Sequence, residues 1–274
     1  MRTLFSDLMY ALRQMRKAPG FTTVAVITLA LGIGANAAIF TLVYAILLQP
    51  LPVKDASSLY RLGSHDINCC VQGGLQDDWD DFSYPLYLKI KSQTPEIQDL
   101  TALSAGLANS STRCVGDSSP ARPLLSEYVS GNYFDMLGVG PSQGRTLHPS
   151  DDQATAPPAA VMSYRTWQNY YASDPSVVGS TFSINGAPIT VVGIAPAGFF
   201  GDRLTDNPPD FWLALATEPY IRAKTSYLNK PNLHWLYLIG RAEARNFPRP
   251  GGIKGVSRAP TVAEQRRGYF DRRR

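Results

Sequence analysis

The sequence has few of the residues from which metal and redox sites are built. Its 274 residues include three cysteines and three histidines, and it has no Cys-x-x-Cys pair. The odd number of cysteines and the lack of a Cys-x-x-Cys pair argue against a zinc or thioredoxin-type site. The histidines lie far apart, so we interpret them as surface or core side chains rather than metal ligands: His65, His148 and His234.

Motifs that carry catalysis are also missing. The chain has no GxxxxGK[ST] phosphate loop, no SxxK nucleophile motif and no HExxH metal motif. We therefore predict that the protein is not an enzyme and has no catalytic, cofactor-binding or metal site. These absences favour a role in transport, binding or scaffolding.

The sequence leaves open whether the cysteines form a disulfide bond. Cys114 can form a disulfide with either Cys69 or Cys70 if the domain lies in an oxidising compartment. Whether the bond forms depends on Cβ geometry, which the sequence does not specify.

Charge is unevenly distributed along the chain. Residues 1–20 carry a net charge of +3 and residues 245–274 a net charge of +7, which leaves −6 for residues 21–244. An acidic body argues against a nucleic acid partner. Four aspartates surround Trp79, but no EF-hand spacing follows them, so we predict a solvated acidic loop: Asp77, Asp78, Asp80 and Asp81.

One long uncharged segment stands out near the N-terminus. Residues 21–48 contain no charged side chain, and as a helix they would be roughly 42 Å long, more than the ~30 Å hydrocarbon core requires. A cleaved signal peptide is the alternative, but its apolar region is typically only about 7–15 residues. We predict an uncleaved transmembrane helix over residues 20–48.

The flanks of this helix predict its orientation. Four Lys or Arg residues precede it, whereas only Lys54 closely follows it. Basic flanks stay on the cytoplasmic side, so the N-terminus is expected inside and the bulk outside. Residues 1–19 have apolar residues at helical spacing, which predicts an amphipathic segment on the inner membrane surface. A basic flank without fixed structure is the other interpretation.

Small residues recur within the predicted membrane helix. Ala30, Gly34 and Ala38 are spaced by four and share a face, and Gly32 and Asn36 form a neighbouring stripe. Small side chains let a second helix approach closely, and Asn can hydrogen-bond across such a contact. We predict helix–helix packing in the membrane at these five residues.

The body after residue 50 shows alternating strands and short helices. Strands are predicted at 59–62, 124–129, 159–162, 211–215 and 235–239, and helices at 84–91 and 164–171. Asn185-Gly186 separates two apolar runs, 181–184 and 188–194, and predicts a β-hairpin with a loop of two residues or longer. This alternation favours an α+β fold.

Several motifs together resemble the permeases of MacB/FtsX-type ABC transporters, in particular their duplicated orphan branch. They occur in the family's order through about residue 241: LRQMRKAPGFT (12–22), LGIGANAAIF (31–40), PLP (50–52), VSGNYFDMLGV (129–139), GRT (144–146), DPSVVG (174–179), NG (185–186), VVGIAP (191–196) and GF (198–199).

The resemblance implies an α+β architecture in which a single N-terminal transmembrane helix precedes a two-lobed periplasmic domain. It places the protein in the bacterial inner membrane, with a MacB-like periplasmic core domain over residues 50–244. It further implies a cytoplasmic ATPase subunit as partner, a homodimer or permease pair, and a role in transport or efflux.

The sequence departs from the family pattern after residue 241. Family members continue with a strand, a helix and three more spans, whereas residues 245–274 are rich in Pro, Gly and Arg and are predicted to be a disordered basic tail. A truncated or frameshifted permease is the resulting expectation. The alternative is a single-pass periplasmic scaffold or adaptor without transport activity.

Overall fold

The computed structural model describes residue 13 and residues 15–43, 53–55, 58–62, 81–93, 99–202 and 205–241. These residues fall into two separate compact units, one containing the N-terminal helix and the other the folded body.

The first unit contains the predicted membrane helix. Helix α1 spans Pro19–Val43, and within it Pro19–Thr41 is long and apolar enough to cross a membrane. Pro19 and Gly20 begin the helix because proline is tolerated in a first turn, where its missing N–H costs nothing. Residues 44–48 of the predicted span lie outside the described residues, as does most of the predicted surface segment.

The body has ten strands and four further α-helices among its described residues. The strands are β1 (Leu59–Leu62), β2 (Asp99–Ser104), β3 (Ala108–Cys114), β4 (Arg122–Val129), β5 (Gln143–Gly144), β6 (Ala159–Met162), β7 (Thr181–Ile184), β8 (Ala187–Ile194), β9 (Phe211–Ala214) and β10 (Leu236–Arg241). The helices are α2 (Tyr84–Gln93), α3 (Tyr133–Leu137), α4 (Tyr164–Tyr171) and α5 (Glu218–Arg222). The α+β class predicted from sequence is confirmed.

The strands form one sheet whose larger part closes on itself. Neighbouring strands pair in the order β4, β3, β7, β8, β6 and β9, and β9 then pairs in parallel with β4, from Ser126↔Phe211 to Val129↔Ala214. Strands β2, β10 and β1 make an antiparallel ribbon, joined to the ring at Leu103↔Val129, and the short strand β5 pairs with β8.

Two apolar clusters lie on the two faces of β6 and β9. Alternate residues of these strands, such as Met162 and Phe211, join a cluster that collects side chains from β4, β7 and β8 of the ring. The intervening residues, such as Val161 and Trp212, join a second cluster that includes α3. Both strands are therefore buried on both faces, which is why they are continuous apolar runs in the sequence.

The Asn185-Gly186 turn has the shorter of the loop lengths that the sequence allowed. Ile184 pairs directly with Ala187, so the loop has two residues. Asn185 and Gly186 have φ of 50° and 87°, as a type I′ turn requires. The suggestion of a longer loop was wrong: Pro188 pairs with Ser183 inside the hairpin.

Candidate functional site at the domain junction

The chain enters and leaves the domain at the same place. Strand β1, the first strand of the body, pairs antiparallel with β10, the last described strand, and Leu59 lies opposite Arg241. A displacement of the chain that enters the domain would therefore act directly on the last strand, and a displacement of the chain that leaves it would act on the first. We call the contacts that Lys54, Asp55 and Ser58 make with α3 and Arg241 the junction.

Arg241 holds the junction together through its guanidinium group. One terminal nitrogen, Nη2, donates to the Met136 carbonyl at 2.7 Å and to the Lys54 carbonyl at 2.8 Å. The other, Nη1, donates to the Asp55 carbonyl at 3.3 Å and to the Ser58 hydroxyl. The planar group thus satisfies acceptors from two separate parts of the chain, a role that suits Arg better than Lys.

Helix α3 supplies the other side of the junction. The Lys54 N–H donates to the Leu137 carbonyl at 2.8 Å, so the entering chain binds the end of the helix. Gly138 ends α3 in the left-handed conformation, with φ of 69°, and a Cβ there would lie 2.4 Å from the Lys54 Cβ. Glycine is needed at this position for both reasons.

The loop before α3 is fixed by side-chain hydrogen bonds to β2. The Ser130 hydroxyl lies 2.6 Å from the Thr101 hydroxyl and accepts from the Ala102 N–H at 3.0 Å. Asn132 donates from Nδ2 to the Leu100 carbonyl at 3.1 Å. Gly131 packs so closely that a Cβ would lie 2.4 Å from the His148 carbonyl oxygen. These contacts explain the SGN part of the VSGNYFDMLGV motif.

Asp152 reaches this loop from the 3₁₀-helix Pro149–Asp152. Its Oδ1 accepts from the Ala216 N–H at 2.8 Å and its Oδ2 from the Gly131 N–H at 3.3 Å. Burial raises the pKa of the Asp152 carboxyl to about 6, although these two hydrogen bonds and the charge of Lys91 act in the opposite direction. The neighbouring Asp151 takes part in the cap of this 3₁₀-helix, accepting from the His148 N–H at 2.8 Å.

The direction of this shift determines its effect on stability. Because the folded pKa lies above the unfolded value of about 3.9, the folded state binds more protons between the two values. The contribution of Asp152 to stability is therefore greatest below the unfolded value and decreases as the pH rises through about 6.

Another buried carboxylate, Asp210, is satisfied within the fold. It accepts from the Leu125 N–H at 2.8 Å and from Arg165 Nη2 at 3.0 Å, and it accepts a short bond from the Thr166 hydroxyl. These bonds tie β4 to α4 and to the start of β9. We assign Asp210 a structural role.

The five predicted membrane-packing residues lie in the exposed part of α1. No described atom comes within 4 Å of a Cβ built on Gly32 or Gly34, so the surface between them is open. Asn36 donates from Nδ2 to the Gly32 carbonyl at 2.9 Å within its own helix. The packing at Ala30, Gly34, Ala38, Gly32 and Asn36 stays a prediction.

Several further sequence predictions concern single residues. Asp81 is buried, which contradicts a solvated loop at that position, while Asp77, Asp78 and Asp80 lie outside the described residues. Cys69 and Cys70 are also outside them, so the pairing of Cys114 stays open. His148 caps a 3₁₀-helix, and the described part of the chain holds no cluster of three or more potential metal ligands.

The junction itself was missed by the sequence analysis. The resemblance in sequence ends at Arg241. No local pattern marks this arginine as one that binds the carbonyl groups of Asp55 and Met136, which lie 186 and 105 positions earlier in the chain. The useful signal was the motif containing Leu137 and Gly138, which contact Lys54.

Comparison with known proteins identifies the family of this chain. No curated protein sequence matches it. The periplasmic region of MacB from Actinobacillus actinomycetemcomitans is similar in structure, with a TM-score of 0.51 and 13% identity over 79% of this chain and 94% of that one. The extracellular domain of the noncanonic ABC-type transporter YknZ from Gram-positive bacteria has a TM-score of 0.45 and 10% identity, covering 68% and 84%. The family described as the MacB-like periplasmic core domain matches residues 22–243, and the chain belongs to that family.

Proposed function

We propose that this chain is a membrane subunit of an ABC-type transporter, or a part of one. In this proposal a cytoplasmic ATPase drives conformational change in the domain on the opposite side of the inner membrane. Membership of the MacB-like family supports a transporter-associated role. The proposed role needs no catalytic residue in this chain, since ATP is hydrolysed by the partner.

The observation that carries the proposal is the junction. A domain that passes on mechanical work needs its incoming and outgoing chain segments to be mechanically connected. Here β1 and β10 are adjacent strands, and Arg241 links the last strand to Lys54, Asp55 and Ser58 and to α3. Movement of either segment would therefore be transmitted to the sheet instead of being absorbed by a loop.

The proposal includes the arrangement of the chain in the membrane. Residues 1–19 are cytoplasmic, 20–48 cross the inner membrane, 50–244 form the periplasmic core domain and 245–274 are a basic tail. The stripe containing Gly34 and Asn36 is where a second membrane helix packs, in a homodimer or a permease pair. The open surface beside Gly32 and Gly34 supports this assignment.

The first prediction tests the partnership. We expect the full chain, extracted in a mild detergent, to co-purify with an ATP-hydrolysing subunit, measured as Mg²⁺-dependent ATPase activity in the eluate. A Lys→Ala change in that subunit's phosphate loop should abolish the activity without reducing co-purification, because the lysine contacts the nucleotide. A chain that purifies without ATPase activity would support the single-pass scaffold or adaptor.

The second prediction tests orientation. In a background with Cys69, Cys70 and Cys114 replaced by serine, single cysteines are introduced as Arg13→Cys or Ser118→Cys, both at exposed positions. A membrane-impermeant maleimide should label the cysteine at 118 in intact spheroplasts, and the one at 13 only after permeabilisation. The reverse pattern would contradict a cytoplasmic N-terminus.

A further inference from the structure

Asp152 connects the ends of two neighbouring strands. Gly131 follows β4 by two residues and Ala216 follows β9 by two residues, and these strands pair in parallel up to Val129↔Ala214. Their carboxyl ends therefore lie side by side. The two oxygens of Asp152 accept one N–H from each end, at 3.3 Å and 2.8 Å.

This bridge depends on a partly buried negative charge. Loop 130–132 and turn 215–217 contribute backbone N–H groups and no charged side chain. Lys91 of α2 favours the carboxylate, whereas Asp151, the neighbour in sequence, disfavours it. Tyr84 of α2 also faces Asp152, and burial together with that carboxylate raises the pKa of Tyr84 to about 12, so it stays neutral. Asp151 is itself paired with Arg145 at 2.6 Å.

We propose that Asp152 is a proton-controlled latch: as a carboxylate it holds the ends of β4 and β9 together, and protonation releases one of the two N–H groups. A carboxylate offers two acceptor oxygens, whereas a carboxylic acid carries an O–H that is a donor and a poor acceptor. One of the two N–H groups then faces a hydroxyl group that accepts its hydrogen only weakly. The raised pKa of Asp152 puts this change near pH 6.

The latch leads to the junction through α3. Gly131 precedes α3 by two residues, and the last residues of α3, Met136 and Leu137, accept hydrogen bonds from Arg241 and Lys54. Release of the Gly131 N–H therefore loosens the start of the helix whose end binds the chain entrance. The consequence is a weaker junction at acidic pH, whether or not the chain works as a transporter.

Local and global stability are expected to respond in opposite directions. As the pH falls from 7.5 to 5, the contribution of Asp152 to the free energy of unfolding increases, because a buried charge is neutralised. Over the same range the amides of Gly131 and Ala216 become less protected. Simple acid unfolding would lower both quantities, so the two explanations are separable.

The third prediction is the test of this latch. Hydrogen–deuterium exchange is measured on the full chain in detergent at pH 5 and pH 7.5, resolved to Gly131 and Ala216 by fragmentation and divided by the rates of unstructured peptides. The expected result is a loss of protection of about fivefold to tenfold at pH 5 at one or both amides, with the β7–β8 hairpin unchanged. Asp152→Asn should lower protection at both pH values and remove the pH dependence.

The matched control is Asp117→Asn, which changes an exposed aspartate that accepts from the Ser119 N–H at 2.9 Å. This variant should follow the unmodified chain at both amides. The latch is overturned if the unmodified chain shows no change at Gly131 and Ala216, if Asp152→Asn keeps the pH dependence, or if protection falls equally in the hairpin.

Discussion

Replacing Gly193 with alanine is expected to destabilise the domain by about 3 kcal/mol or more, because the new methyl group has no space. A Cβ at Gly193 would lie 2.1 Å from the Arg145 carbonyl oxygen and 2.8 Å from both the Arg145 nitrogen and the Gln143 carbonyl oxygen. All three are backbone atoms, so no side chain can rotate away. Strand β5 would have to separate from β8, with the loss of the Arg145 N–H bond to Val192 at 3.0 Å.

The measurement is urea unfolding of the full chain in a nonionic detergent, followed by tryptophan fluorescence. Gly140→Ala is the matched control: no atom lies within 4 Å of its Cβ position and its φ is outside the left-handed region. That variant should be neutral or stabilised by up to about 1 kcal/mol, since alanine restricts the unfolded chain. Equal midpoints for the two variants would show that β5 does not pack on β8 as described.

The family motifs show how much of this site the sequence could predict. Gly144 and Gly193 both lie in motifs quoted from sequence, and they face each other where β5 crosses β8. A motif identifies such residues without giving the reason, which here is the approach of two backbones. The reason required the register, which depends on residues nearly fifty positions apart.

Elements with a strong period were predictable. Strand β6 and helix α4 have the predicted bounds, since one is a continuous apolar run and the other begins at the capping residue Ser163. Strand β3 was missed because its buried residues are polar: Ser110 and Thr112 face the interior between exposed residues. Helix α3 was missed as a helix because it has only five residues.

Buried carboxylates were beyond the reach of sequence patterns. Asp152 is surrounded by elements that begin at positions 84, 131 and 215, and each contributes to its environment through a backbone N–H or a single charge. The backbone N–H groups have no signature in the sequence, and the charge lies about sixty positions away along the chain. The carbonyl groups that Arg241 binds have no such signature either, so neither the latch nor the junction could be predicted without the three-dimensional structure.

Replacing Arg241 with alanine is the second change for which we expect a large effect, a loss of about 2–3 kcal/mol in the free energy of unfolding. The substitution removes a charged donor from the Lys54 and Met136 carbonyls, and hydrogen bonds to charged groups typically contribute about 1.5–3 kcal/mol net of exchange with water. Arg241→Lys should recover only part of the loss, because an ammonium group lacks the planar fork that spans both acceptors.

A control variant and limited proteolysis test whether Arg241 stabilises the junction or the whole fold. Arg113→Ala removes an exposed arginine from β3 and should change stability by less than about 0.5 kcal/mol. Limited proteolysis should cut Arg241→Ala first near Lys54 and Asp55, since these lose their link to β10 while the ring keeps its own pairing. Cleavage that begins instead in the β7–β8 hairpin would mean that Arg241 stabilises the fold generally, and that the junction is not the connection between the entering and leaving chain.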